Sequence, residues 1–228
     1  MKRLFAIILI LLIIFMGMYS YRSVINNNRN LKVTEVESIQ KYISSIYMWK
    51  EVTDEALPKF DNISDAPDKW VWEVVNKNLE KYELTYEDIQ TKAEEIFGSN
   101  FQKKFPNEGS EFIGYNQEKE NYYTSGIGLD DYEDSFLINK IEKTKKGYSI
   151  EVREYIVDYS ESRNNEDENS IYDIYINTLE GERIETLKNT DGDTKIIESV
   201  KENIDKFSSK IITLIKGEQG KLYVESVK

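Results

Sequence analysis

The sequence predicts an α+β protein with an N-terminal transmembrane helix, followed by helices packed on a curved antiparallel sheet. An uncharged apolar run occupies residues 4–21, and segments with helical periodicity follow it as far as residue 97. Beyond Pro106, apolar and polar residues alternate, which is the spacing of β-strands. Helices that precede a run of strands are typical of an α+β domain.

The apolar run at residues 4–21 predicts a signal anchor. At about 1.5 Å per residue it is roughly 27 Å long as a helix, which just spans a hydrocarbon core of about 30 Å. No Ala-x-Ala cleavage pattern follows it, although cleavage after Ser20 is an alternative. Two cations in residues 1–3 predict a cytoplasmic head. We therefore expect a stalk at 22–32 and one extracytoplasmic domain at 33–228, in a single-pass protein of the cell membrane.

The composition excludes several functions. The chain beyond the apolar run has 28 basic and 42 acidic residues, a formal charge of −14, which repels phosphate backbones and argues against nucleic-acid binding. It contains no histidine and no cysteine. This absence removes disulfides, the Ser-His-Asp and Cys-His arrangements, and nearly all zinc sites. We therefore expect no metal and no cofactor.

Three amphipathic helices are predicted first. The second has Asp65 as its expected N-cap and Pro67 in its first turn. The third has a capping box of Thr85 and Asp88 and a natural stop at Gly98. The first has one apolar face, formed by Val36, Ile39, Ile43, Ile46 and Tyr47.

The second half of the chain predicts mainly strands. In the segment at 148–160 the apolar positions change from even to odd, which predicts a β-bulge near Arg153–Glu154. Residues 194–208 have helical spacing, and we expect a helix capped near Asp193. The final two runs, joined by Gly217–Gly220, predict a hairpin. The other predicted strands are 121–129, 134–143 and 171–179.

The stretch TYEDIQTKAEEIFGSNF, with the strands after it and the closing KGEQGKLYVESVK, resembles uncharacterised membrane-anchored ectodomains of Gram-positive bacteria. Several of these have the nuclear-transport-factor-two-like, or cystatin-like, fold, in which a bent sheet wraps on helices around a conical pocket. The resemblance covers residues 33–228. It implies that fold and an extracytoplasmic location, but not a particular function, because functions vary widely within one fold.

Candidate catalytic and calcium-binding patterns are incomplete. Ser38 and Lys41 have the Ser-x-x-Lys spacing of penicillin-recognising enzymes, but the partner motifs Ser-Asp-Asn and Lys-Thr-Gly are absent. Two acidic segments could bind calcium, but neither has the ligand order of an EF-hand loop. Asp-rich turns are also common for local reasons. A pair of carboxylates could hydrolyse glycosides, but no pair stands out among 42 acids. The acidic segments contain Asp130, Asp131, Glu133 and Asp134, and Asn189, Asp191 and Asp193.

Three aromatic residues are the candidates for ligand or partner binding. Trp72 lies about 100° from the apolar stripe of the second helix, where it could contact a partner or pack against a neighbouring element. Tyr122 and Tyr155 could line a cavity with other tyrosines, or belong to the core. We expect a membrane-anchored, non-catalytic module that binds an envelope protein or a small ligand. The alternatives are an assembly subunit of a secretion or conjugation machine, and a carboxylate-dependent cell-wall hydrolase.

Overall fold

The computed structural model describes residues 31–124, 132–160 and 171–228. These residues form two compact units, and the assignment of 33–228 to one domain stays a prediction. The first unit comprises 31–40, 132–142, 150–160 and 171–210, and the second comprises 41–124, 143–149 and 211–228.

The helices lie where apolar periodicity and capping residues favour them. Short 3-10 turns occur at Ile63–Asp65, Asn189–Asp191, Ile204–Lys206 and Glu218–Gly220. The α-helices are α1 Val33–Ile46, α2 Lys50–Thr53, α3 Asp68–Lys77, α4 Tyr86–Phe97 and α5 Gly192–Glu202.

The strands form two sheets. A small sheet has the order β1-β3-β2, and a six-stranded sheet has the order β7-β6-β5-β8-β9, with β4 paired to β5. The β5–β6, β6–β7 and β8–β9 pairs are antiparallel. The strands are β1 Glu83–Leu84, β2 Ile113–Asn116, β3 Asn121–Thr124, β4 Tyr132–Lys143, β5 Gly147–Asp158, β6 Asp173–Asn177, β7 Arg183–Lys188, β8 Ser208–Lys216 and β9 Leu222–Val227.

The core of the first unit lies between α5 and the strands. Within β5 the buried positions change parity, because Glu154 and Tyr155 are adjacent and both buried. Glu154 is paired with Lys210 of β8 at 3.0 Å. The apolar residues of this core are Leu137, Tyr155, Val157, Ile174, Ile176, Leu187, Ile196, Ile197, Val200 and Phe207.

Aromatic packing organises the second unit. The ring of Trp70 lies between those of Phe60 and Phe97, with centroids 5.6 and 5.8 Å away. Its indole N–H donates to the carbonyl of Ala56 at 3.3 Å, so the polar atom of this fully buried side chain is satisfied. Phe60 also forms an antiparallel bridge with Val227 of β9.

Several predicted elements are confirmed and others are corrected. The helix at α1, the capping box of α4 and the final hairpin agree with the sequence. The helix predicted at 194–208 is confirmed in part, because α5 spans Gly192–Glu202 with Asp191 as its N-cap, and a 3-10 turn at Ile204–Lys206 leads into β8. The cap at Asp65 is wrong, because Pro67 is the N-cap of α3 and Asp65 lies in a 3-10 turn. The β6–β7 and β8–β9 pairs have register shifts at Ile176/Asn177 and Thr213/Leu214. The bulge near Arg153–Glu154 stays a prediction.

The predicted fold class is correct for the α+β composition and the antiparallel sheet, but wrong in including a transmembrane helix. In the part of the chain that the structure describes, no helix is long and apolar enough to cross a membrane. The apolar run at residues 4–21 lies outside the described residues. The strands β1, β2 and β7 were not predicted.

Candidate functional site

Trp72, for which the sequence left open either partner contact or packing against a neighbouring element, is buried in the second unit. It has 2% of its surface exposed. Its ring meets those of Phe101 and Phe105 edge-to-face, at centroid distances of 5.9 and 5.1 Å. Both phenylalanines belong to the irregular segment after α4. This segment therefore covers the side of α3 that carries Trp72, away from the apolar stripe of the helix.

Tyr122 belongs to the same aromatic cluster. Its ring contacts Phe105 at 5.3 Å and Tyr115 at 4.9 Å, and its hydroxyl donates to the carbonyl of Asn107 at 3.1 Å. The structure therefore joins two of the three predicted binding residues, Trp72 and Tyr122, through Phe105. A role for either in ligand binding stays a prediction.

Tyr155 belongs to the first unit. It is buried, and its ring contacts that of Phe207 at 6.0 Å. Burial raises the pKa of its hydroxyl to about 12, and a hydrogen bond with Ser135 opposes this shift. Its ring therefore belongs to the core, and its role in binding stays a prediction.

Tyr123 follows the buried Tyr122 in β3, but its side chain is on the opposite side of the strand and is 48% exposed. In the small sheet it is opposite Glu83 of β1 and Gly114 of β2. A β-carbon on Gly114 would lie 2.4 Å from Cζ of Tyr123. The end of the tyrosine ring therefore rests directly over this glycine, in a place that no other residue type would leave open.

An ion pair includes the strand partner of Tyr123. Glu83 is paired with Lys119 at 3.0 Å. We call Glu83, Gly114, Lys119 and Tyr123 the tyrosine face. The alternation of a strand predicts that Tyr122 and Tyr123 face opposite sides, but only the strand partners show which of them is outside.

A cluster of two carboxylates and a tyrosine lies in the first unit. The hydroxyl of Tyr159 donates to Oε2 of Glu133 at 3.5 Å. Burial and then the charge of Asp193 raise the pKa of Glu133, and burial raises the pKa of Asp193. Glu133 is exposed as a whole residue, so solvent screening limits this effect. Such a pair can hold a proton that isolated carboxylates release.

The other candidate motifs have local roles in the described residues. The hydroxyl of Ser38 donates to the carbonyl of Thr34 at 2.7 Å, as is common for serine within a helix. Asp191 accepts a hydrogen bond from the backbone N–H of Lys188 at 2.8 Å. Among the residues with assigned positions, no group of three acidic side chains is placed to hold a metal ion. Asp130 and Asp131 lie outside those residues.

Comparison with known protein families, curated proteins and solved structures finds no match for this chain. The resemblance to Gram-positive ectodomains with a nuclear-transport-factor-two-like fold therefore stays a prediction.

Proposed function

We propose that the chain is a non-catalytic binding module that works outside the cytoplasm and contacts its ligand through the tyrosine face. The observation that carries this proposal is the half-exposed ring of Tyr123 resting over Gly114. The ligand is an envelope protein or a smaller envelope component that combines a flat apolar surface with polar groups. The proposed location rests on the apolar sequence of residues 4–21.

A tyrosine in this position is well suited to binding. Tyrosine offers a large, rigid, amphipathic contact area and loses little conformational entropy when it is fixed. Here the strand beneath the ring already restricts its position, which lowers the cost of ordering it on binding. The Glu83–Lys119 pair beside it supplies both a hydrogen-bond acceptor and a donor.

The test compares two changes at this face with one elsewhere. Tyr123→Ser removes the ring, and Gly114→Ala displaces it. Tyr132→Ser is the matched control, because Tyr132 is 45% exposed and lies in the first unit. Immobilised full-length protein is incubated with solubilised envelope proteins and with purified cell-wall glycan from cells that express the chain.

The proposal is supported if an envelope protein or the glycan is retained by the unmodified protein and by Tyr132→Ser, but not by either tyrosine-face variant. Equal retention by all three variants, with normal thermal unfolding, contradicts it. Membrane fractionation, with protease added to intact cells, tests the proposed location separately. A chain that fractionates with the cytoplasm would contradict that location.

A second candidate function, a carboxylate-dependent hydrolase, is favoured by the raised pKa values of Glu133 and Asp193. A carboxyl group whose pKa is raised holds its proton to a higher pH, which suits it to act as a general acid. Release of soluble sugar from purified cell wall, abolished by both Glu133→Gln and Asp193→Asn, would support this function. No release by the unmodified protein at any pH between 4 and 8 would exclude it for this substrate.

A further inference from the structure

A groove lined by four lysines lies at the turn between β4 and β5. Its volume is about 510 Å³, and its lining combines the turn with residues of β8 and β9. We propose that this groove binds a phosphate-bearing anion, at a site separate from the tyrosine face. The lining residues are Lys143, Thr144, Lys145, Lys146, Gly147, Ile215, Lys216 and Glu225.

The local charge is opposite to that of the chain. The lining has four lysines and one glutamate, a formal charge of +3, whereas the whole chain has a formal net charge of −12. Like charges brought together in this way repel one another and destabilise the fold unless they are balanced. An anion bound in the groove would balance them.

The turn that carries three of these lysines is held firmly. The N–H of Thr144 donates to the carbonyl of Gly147, and the N–H of Gly147 donates to Oγ1 of Thr144, both at 3.0 Å. A β-carbon on Gly147 would lie 2.1 Å from the carbonyl oxygen of Leu214, so only glycine permits this approach to β8. The N–H of Lys216 donates to the carbonyl of Lys146 at 2.9 Å.

Side-chain contacts position two of the four ammonium groups, those of Lys216 and Lys146. Nζ of Lys216 lies 4.7 Å from the centre of the Tyr148 ring, a cation–π contact that restricts this long side chain. Nζ of Lys146 lies 3.6 Å from Oε1 of Glu225, and both side chains are exposed. A pair of this kind is weak, so an incoming anion can replace Glu225 at modest cost.

This arrangement favours a phosphate group over a carboxylate. A phosphate has more negative charge and more acceptor oxygens, so several ammonium groups can contact it together. Lysine binds phosphate as a point charge without a fixed angle, which suits a groove lined by lysines of a turn and a strand. The phosphate could belong to a soluble polyphosphate or to a lipid headgroup.

The experiment measures binding of full-length protein to two probes. One is inorganic polyphosphate in solution, followed by calorimetry. The other is phosphatidylcholine vesicles with and without phosphatidylglycerol, followed by co-sedimentation. The test variant is Lys145→Gln/Lys146→Gln. The matched control is Lys41→Gln/Lys59→Gln, which removes the same charge from two other exposed lysines of the second unit.

We expect the test variant to weaken binding by about tenfold, as the loss of two exposed charge contacts implies, and the control by less than twofold. Binding to polyphosphate identifies a soluble phosphate ligand, and binding only to phosphatidylglycerol vesicles identifies a headgroup. No binding to either probe at 50 mM salt, or an equal loss in both variants, would overturn the proposal. If the double variant unfolds, Lys145→Gln alone replaces it.

Discussion

The hydroxyl of Tyr42 accepts a hydrogen bond from the backbone N–H of Val224 at 2.8 Å and donates one to the carbonyl of Ile96 at 3.0 Å. One side chain of α1 thereby satisfies backbone groups at the end of α4 and in β9. Burial raises the pKa of this hydroxyl, while the bond from Val224 opposes that shift. A buried hydroxyl with both its donor and acceptor used links three elements of the second unit.

Tyr42→Phe should lower the free energy of unfolding by about 1–3 kcal/mol, because it leaves the N–H of Val224 and the carbonyl of Ile96 without this partner. Urea unfolding followed by circular dichroism measures the loss. Tyr82→Phe is the control, because Tyr82 is 82% exposed, and its stability should be unchanged. Equal stability of Tyr42→Phe and the unmodified protein would show that water replaces the hydroxyl.

The capping box of α4 offers a second prediction. Oγ1 of Thr85 accepts from the N–H of Asp88 at 3.1 Å, and the N–H of Thr85 donates to Oδ2 of Asp88 at 2.9 Å. Thr85→Ala removes the first bond and should destabilise the protein by about 0.5–2 kcal/mol. Chemical denaturation measures this change. Thr91→Ala, at an exposed position within the same helix, should be neutral or slightly stabilising, because alanine favours helices.

The sequence predicted α4 well because its signals are local. Thr85, Asp88 and Gly98 act within one or two turns of their own helix, and the structure has the expected capping box. Trp72 shows the opposite case. The residues that bury it, Phe101 and Phe105, come from a segment with no regular periodicity. Nothing in the spacing of α3 could indicate that such a segment would cover it.

The two proposed sites depend on strand pairing in the same way. The lysines of the β4–β5 turn are adjacent in the sequence, whereas Lys216 and Glu225 reach the groove only through the pairing of β8 and β9. Tyr123 meets Gly114 because β2 and β3 are in register. The strand β2 has four residues and includes a glycine, so its own sequence favours a strand only weakly.

The buried ion pair of the first unit gives a third prediction. Glu154 is 0% exposed and Lys210 is 8% exposed, with Nζ and Oε2 at 3.0 Å. Lys210→Met should destabilise the protein by about 3–5 kcal/mol, because it leaves a buried carboxylate without its cation. The double variant Glu154→Leu/Lys210→Met should recover most of this loss, because it removes both charges. Thermal unfolding of the unmodified protein, Glu154→Leu, Lys210→Met and the double variant completes the double-mutant cycle. A double variant that is less stable than either single variant would refute this account.

The carboxyl group of Glu73 gives a prediction about pH. It is fully buried on α3, accepts from the hydroxyl of Ser110 at 3.1 Å and from Nδ2 of Asn76 at 3.3 Å, and has a backbone hydrogen bond with Phe112. Burial raises its pKa, while these hydrogen bonds oppose the shift. The folded state therefore holds the proton of Glu73 more tightly than the unfolded state, whose glutamate pKa is about 4.3.

The stability that protonated Glu73 contributes is fully present below pH 4.3 or so, the unfolded pKa, and is lost as the pH rises through the folded pKa. Glu73→Gln cannot ionise, so it should be less sensitive to this rise. We expect the free energy of unfolding of the unmodified protein, minus that of Glu73→Gln, to fall steadily from pH 4 towards the folded pKa and then to level off. Denaturant titrations at half-unit pH steps measure this difference. A difference that rises with pH would mean that the hydrogen bonds from Ser110, Asn76 and Phe112 outweigh burial and stabilise the ionised carboxylate.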